Sequence, residues 1–235
     1  METSWMKKTI MVLGVIFSTL CFLVIGPAKA LAEGFIDIYG GTAYTRDEDV
    51  DVSISSSSLG FVRTESHTEK VDFGSSYALG LRAGGWFEKI PYVGIAGDLS
   101  YFKAEDKTAE IHVVPISLLL MLRYPLFKSE KFPHGRIQPY AGIGPGFFIS
   151  VSDIDFRPTL PKTFSGTSFD VGLDLRAGLA WQFHKHFALF GEYRYTDFSI
   201  DLEQTDILFG LAGTKENMKT QLTTNHFLVG VSWRF

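Results

Sequence analysis

Beyond residue 32 the chain contains no cysteine, no long apolar run and little helical periodicity. Each absence excludes something. The single cysteine, Cys21, lies in an apolar stretch near the N-terminus and follows Leu20, which is too large for a lipoprotein cleavage site. Without disulfides, an exported chain must be held together by other means. The longest apolar run beyond residue 32, "ISLLLML" (Ile116 to Leu122), falls far short of the ~18 residues that a membrane helix needs. A membrane location would therefore have to be reached with strands.

The N-terminus indicates export. Lys7 and Lys8 precede the uncharged apolar segment Thr9 to Ile25, Gly26-Pro27 breaks it, and Ala28-Lys29-Ala30 and Ala30-Leu31-Ala32 offer small-x-small cleavage sites. This is the layout of a secretory signal peptide. Residues 1–32 are expected to be removed after Ala32, leaving one domain, residues 33–235. Removing Glu2, Lys7, Lys8 and Lys29 leaves 19 basic against 25 acidic residues. That excess of acid argues against a nucleic-acid partner, which requires a basic stripe.

What the mature chain does contain is period-2 alternation from end to end. Eight strands, read as four hairpins, are predicted at about 35–44, 77–87, 92–103, 111–124, 137–149, 169–183, 187–198 and 224–235. In the sixth, Val171, Leu173, Leu175, Ala177, Leu179, Trp181 and Phe183 face one way and Asp170, Asp174, Arg176 and Gln182 the other. The connections alternate in length. "EKIP" and "HKH" are short and "PLFKSEKFPHGR" is longer, while the opposite rim carries 46–71, 104–110, 151–168 and 200–223. Mostly short turns on one rim and longer loops on the other is the pattern of an outer-membrane barrel. "LGLRAG" and "LDLRAG", at Leu79 and Leu173, repeat one another in the second and sixth strands and aim each arginine at the polar face.

Alternation is shared by soluble and membrane barrels, so other features must separate them. Large apolar residues occupy one face and many glycines the other (Gly142, Gly144, Gly146), as expected of a narrow barrel with its bulk outside. Aromatic residues gather at strand ends. Trp86, Tyr124 and Trp181 are expected in a girdle on the short-turn rim, and Tyr101, Tyr193 and Tyr195 in a second girdle opposite. The polar face carries Asp37, Arg82, Asp98, Arg123, Asp174, Arg176, Glu192 and Arg194, four acids and four arginines expected to pair inside the lumen. The fold class is all-β: a closed eight-stranded antiparallel transmembrane barrel.

Four stretches carry a family resemblance: "PYAGIGPGFF", "VGLDLRAGLAWQF", "FALFGEYRYTDF" and "FLVGVSWRF". They resemble the small outer-membrane β-barrels, namely the barrel domain of outer membrane protein A, outer membrane proteins X and W, and the neisserial opacity proteins. The resemblance implies the outer membrane of a Gram-negative bacterium. It also implies that Phe227, Val229, Val231, Trp233 and Phe235 form an insertion signal read by the barrel-assembly machinery. No wall-binding domain of the outer membrane protein A kind is expected after Phe235.

Activity is less legible. The expected role is structural or surface-interacting and not enzymatic, with lipid and lipopolysaccharide as surroundings and a host or phage surface ligand at the loops. A small solute pore is the alternative, with lipid A modification behind it. The 26-residue segment 46–71 is polar, serine-rich and read as a mobile loop. "ILFGLAG" (Ile207 to Gly213) could be a contact site, a cover over the barrel mouth or a strand extension. None of His67, His112, His134, His184, His186 and His226 forms a hydrolase signature with a serine, and His112 and His226 are read as interfacial or loop-packing. His184 and His186 on one short turn are too few for a metal site. No catalytic residue, cofactor or metal is expected, and the barrel is expected to be a monomer.

Overall fold

The computed structural model describes residues 31–235 apart from 47, 59–60, 72–73, 106–108, 156–162 and 209–211. The expected signal segment lies outside the described residues except for Leu31 and Ala32, which begin the first strand. The ten strands are β1 (Leu31–Thr45), β2 (Glu48–Ser58), β3 (Phe61–Val71), β4 (Ser75–Phe87), β5 (Val93–Glu105), β6 (Ala109–Arg123), β7 (Ile137–Asp155), β8 (Thr163–His184), β9 (Phe187–Leu208) and β10 (Ala212–Arg234). Eight of them, β1 and β4 to β10, close an antiparallel barrel through the β1–β10 pairing.

The register defines the barrel's shape. From Leu179 of β8 the paired residues run through Gly191, Val229, Gly40, Leu79 and Tyr101. The β5–β6 register carries on to Val114, and Ile149 and Phe169 complete the circuit on β8, ten residues from the start. A shear of ten over eight strands corresponds to a strand tilt of roughly 40° and an interior that side chains fill.

Gly34 to Tyr44 covers ten residue steps of β1, which at ~3.4 Å per step and this tilt rise about 25 Å. That is the height of a bilayer's apolar band. Within it the outward side chains are apolar and uncovered: Ile38 is 64 % exposed and Val229 70 %. A surface of this kind around a whole barrel is far larger than the apolar patches that soluble monomers tolerate. Its solvent is lipid.

β8, β9 and β10 have 22, 22 and 23 residues and rise about 55 Å at the same tilt, well beyond the band. Much of what the alternation suggested was loop is therefore strand. Outside the band the sidedness reverses. Phe102, Ile111, Val113, Phe198, Ile200 and Leu222 point inward and are buried, while Ser199 and Gln221 are exposed. The outer part of the barrel is built like a water-soluble one, with its apolar residues in the core.

Segment 46–71, read as a mobile loop, is largely a hairpin. β2 and β3 pair from Glu48↔Val71 to Ser58↔Phe61. β1 leaves β10 at Thr45↔Thr224, and from Lys219↔Asp51 to Ala212↔Ser58 β2 takes over that edge. β8 and β9 pair only from Leu173↔Asp197 toward the short turns, whereas β9 and β10 stay paired to Leu208↔Ala212. The outcome is a projecting four-stranded sheet in the order β9–β10–β2–β3. Ile207 and Leu208 end β9, and Ala212 and Gly213 begin β10, so the described ends of "ILFGLAG" are strand.

The expectation of small residues inside also needs correction. Phe35, Tyr39, Trp86, Phe148, Phe190 and Phe198 are all buried in the interior. The inward glycines are what admit them. A Cβ on Gly80 would run into the Tyr39 ring, one on Gly178 into Tyr140, and one on Gly230 into Phe190. Each glycine is a socket for a ring from a neighbouring strand. Gly80→Ala is expected to displace Tyr39 and cost about 1–3 kcal/mol, the penalty for overpacking a filled core. A lowered urea midpoint for the refolded barrel in detergent checks this.

Candidate functional site

The polar interior is placed by register. Asp37 opposes Arg82, Arg82 opposes Asp98, and Asp98 opposes Ser117 across four neighbouring strands. On the far wall Arg176 directly opposes Arg194, a like-charge pair that has to be neutralised by carboxylates. Asp174 does so, two residues along β8. It bonds to Nε and Nη2 of Arg176 at 3.0 and 2.9 Å and accepts from Arg194 Nη2 at 2.8 Å.

Arg176 crosses the lumen to Asp98, with Nη1 and Nη2 each 2.8 Å from a carboxylate oxygen, and reaches Glu192 at 3.4 Å. Arg82 joins Asp37 at 2.8 Å to Glu192 at 2.6 Å. Neutral donors complete the set. Tyr39 donates to Asp98 at 2.8 and 2.9 Å, Tyr140 to Glu192 at 2.8 Å and Ser117 to Asp174 at 2.6 Å. Arg194 donates to Ser100 at 2.6 Å. Charged groups this far from water require such pairing.

Seven of the eight charged residues singled out in the sequence thus form one network. Arg123 is the exception. It sits near the short-turn rim, bonded to Glu33, and its guanidinium lies 4.3 Å from the Trp86 ring centroid. Arg234 joins this second cluster, 3.3 Å from Glu33 and 2.6 Å from Gln138 Oε1. Glu33 and Arg234 stand outside the eight charges expected in the lumen. Both continue an inward alternation, Glu33 with Asp37 and Arg234 with Ser232. The central network has three arginines and four carboxylates, and the second cluster two arginines and one carboxylate. Together the ten charges balance. Between the two lies a cavity of about 20 Å³ bordered by Asp37, Arg82, Trp86, Tyr140 and Arg234, room for about one water.

Trp86 must be moved from the girdle to the lumen. It is 4 % exposed, because alternation from outward Leu81 and Ala83 turns position 86 inward, where Gly94 leaves space for its ring. The other five expected girdle residues point outward. Tyr124 and Trp181 are 64 % and 45 % exposed near the short turns, and Tyr193 is exposed, with Tyr101 and Tyr195 half-buried, toward the other edge. Phe227, Val229, Val231, Trp233 and Phe235 also lie on the outer surface. Phe235 is stitched to the first strand by Gly34 N–H to Phe235 C=O at 2.8 Å and Phe235 N–H to Gly34 C=O at 3.0 Å.

Two histidines acquire definite settings. His226, expected in an interfacial or loop-packing role, is buried inside the barrel. It lies edge-on to Phe102 with ring centroids 4.8 Å apart, and its Nε2 is 3.1 Å from Thr196 Oγ1. His112 lies outside, between the Tyr101 hydroxyl at 2.7 Å and Glu110 at 3.0 Å. The rings of His184 and His186 are 6.0 Å apart. Among the described residues no three His, Cys, Asp or Glu side chains are placed to hold a metal ion.

Comparison with known proteins agrees with this architecture. The family model described as "Outer membrane protein beta-barrel domain" matches residues 18–235. OprG from Pseudomonas aeruginosa is similar at 20 % identity and a TM-score of 0.47, over 88 % of this chain and 97 % of that one. Neisserial surface protein A is similar at 12 % identity and a TM-score of 0.46, over 84 % and 97 %. Ail of Yersinia pestis is similar at 14 % identity and a TM-score of 0.37, over 86 % and 99 %. No curated protein matches the chain significantly. By the span of its family match the chain belongs to the outer membrane protein β-barrel domain family, and its barrel resides in the outer membrane of a Gram-negative bacterium.

Proposed function

We propose that the barrel is a closed, non-enzymatic support that holds the projecting β9–β10–β2–β3 sheet at the cell surface, and that this sheet is its working part. The observation that carries the reading is the central network. Side chains of Arg176, Asp98, Asp174 and Glu192, all 0 % exposed, meet across the lumen. An aqueous path would have to part these pairs, leaving buried charges uncompensated. Above them Phe148 and Phe198 stack at 4.1 Å in an apolar layer. The projecting sheet gives the outer end an ordered frame on which a host, phage or lipopolysaccharide partner can be contacted. The outward residues of β10 serve the assembly machinery as the insertion signal.

The refolded chain, residues 33–235, is expected to be electrically silent in planar bilayers at high salt although inserted. Discrete conductance steps that change on substitution of Arg176 or Glu192 would establish the alternative, a small pore.

A further inference from the structure

The rim of short turns has a chemistry unlike the rest of the surface. Although the chain is acidic overall, its described turns at 88–92, 124–136 and 184–186 carry five lysines and arginines against two glutamates. The largest, 124–136, is built as a small folded unit. Leu126 bridges Ile137, and Ser129 bridges Phe132. Gly135, at φ 90°, makes the return, and its carbonyl accepts from buried Gln138 at 2.8 Å. Arg136 C=O accepts from the Gln182 backbone at 2.8 Å. The turn is anchored to the barrel wall on both sides.

This unit displays apolar side chains next to cations. Phe127 is 71 % exposed, and Ile90 and Tyr92 on the adjacent turn are exposed as well. Phe127 holds φ 53°, a left-handed conformation that bulky side chains avoid, so the backbone is strained while its ring remains uncovered. Lys128 Nζ lies 5.7 Å from the Tyr92 ring centroid, and the cationic ends of Lys131 and Arg136 flank Phe132 at 5.5 and 5.9 Å. Phe132 is buried beneath them. The patch is continuous with the lipid-facing belt through exposed Tyr124 and Leu126.

An aromatic and aliphatic surface that merges into a membrane belt and is edged by Lys and Arg matches one chemistry. Acyl chains meet the rings, and anionic headgroups meet the cations. Because the short turns face the periplasm, the leaflet concerned is the inner one. We infer that the 124–136 turn, with Tyr92 and Lys89 beside it, is a docking surface for anionic phospholipid headgroups of the inner leaflet, selecting phosphatidylglycerol-type over zwitterionic lipids. Lys128, Lys131 and Arg136 supply the selectivity, and Phe127 inserts at the edge of the acyl region.

The test uses the refolded barrel in detergent with equal amounts of phosphatidylglycerol and phosphatidylcholine of identical chains, bound lipids being counted by native mass spectrometry. Phosphatidylglycerol adducts should predominate by about fivefold, the ratio that one surface cation supports. The variant Lys128→Gln/Lys131→Gln/Arg136→Gln should bring the two lipids to parity while retaining the heat-modifiable gel mobility of a folded barrel. Equal binding by the parent, or selectivity that survives in the triple variant, overturns the inference. A second arm places Phe127→Trp, in a Trp181→Phe/Trp233→Phe background that removes the two lipid-facing tryptophans, in vesicles containing lipids brominated near the headgroup. Stronger quenching than at the buried Trp86 is expected. A position 127 tryptophan that these lipids leave unquenched would turn the patch toward a soluble periplasmic partner or a second copy, and would also overturn the inference.

Discussion

Replacing Arg176 with methionine should destabilise the folded barrel by about 3–5 kcal/mol, the cost of leaving buried charge without its partner. Arg176 is the hub of the lumen. Its guanidinium contacts Asp98, Asp174 and Glu192, and both it and those carboxylates have fully buried side chains. Methionine fills much of the same volume, so the loss is electrostatic and not a cavity effect. With the hub gone, Asp98 retains Tyr39 and a 3.8 Å approach from Arg194, and Asp174 retains Arg194 and Ser117. Glu192 keeps Arg82 and Tyr140.

That residual bonding yields a second expectation. Arg176→Met combined with Asp98→Asn removes one charge of each sign, leaves Arg194 paired with Asp174 at 2.8 Å, and should recover part of the loss, since a complete ion pair adds little net stability over neutral replacements. Urea unfolding of the refolded proteins in lipid vesicles reads both effects. A double variant no better than Arg176→Met would show that the arginine acts through packing and not through charge.

Arginine at Ile38 should cost about 2–4 kcal/mol, whereas arginine at Tyr44 on the same strand should cost about 0–1. Both side chains point outward, Ile38 64 % and Tyr44 46 % exposed. In water such substitutions would be close to neutral at either site. In a bilayer the cost depends on depth. Ile38 lies in mid-belt, paired with Val231 and Leu81, while Tyr44 marks the outer edge ten residues from the Gly34–Phe235 stitch. The same vesicle unfolding assay separates the two. Equal penalties at 38 and 44 would remove the lipid belt from the position given by shear and strand length.

How far the sequence was legible depended on which physical rule governed each segment. Where one apolar face ran unbroken, as from Val171 to Phe183, alternation identified the strand, its faces and its inward charges. Beyond the belt the alternation persists, but its apolar side changes over. In β9 and β10 Leu189, Tyr193, Phe227 and Val229 face lipid while Ile200 and Leu222, outside the predicted strands, face the core. Read for a single apolar face, such a segment stops at the changeover, and the outer parts of β7 to β10 read as loops. β2 was missed for another reason. "DVSISSSS" carries little hydrophobic signal, and the edge of β10 supplies its partner.

The chain by itself determined the strand-built barrel and its residue faces, because side-chain direction alternates with every residue and lipid tolerates only one kind of face. The tertiary structure decided who meets whom. A shear of ten sets which inward residues share a level, and so divides ten balanced charges into a central network and a rim cluster. It also decided which rings enter which glycine sockets and set inward Trp86 against Arg123. The pairings that cross the lumen are not local along the chain: Arg82 and Glu192 are 110 residues apart. Only closure of the barrel brings them within a hydrogen bond.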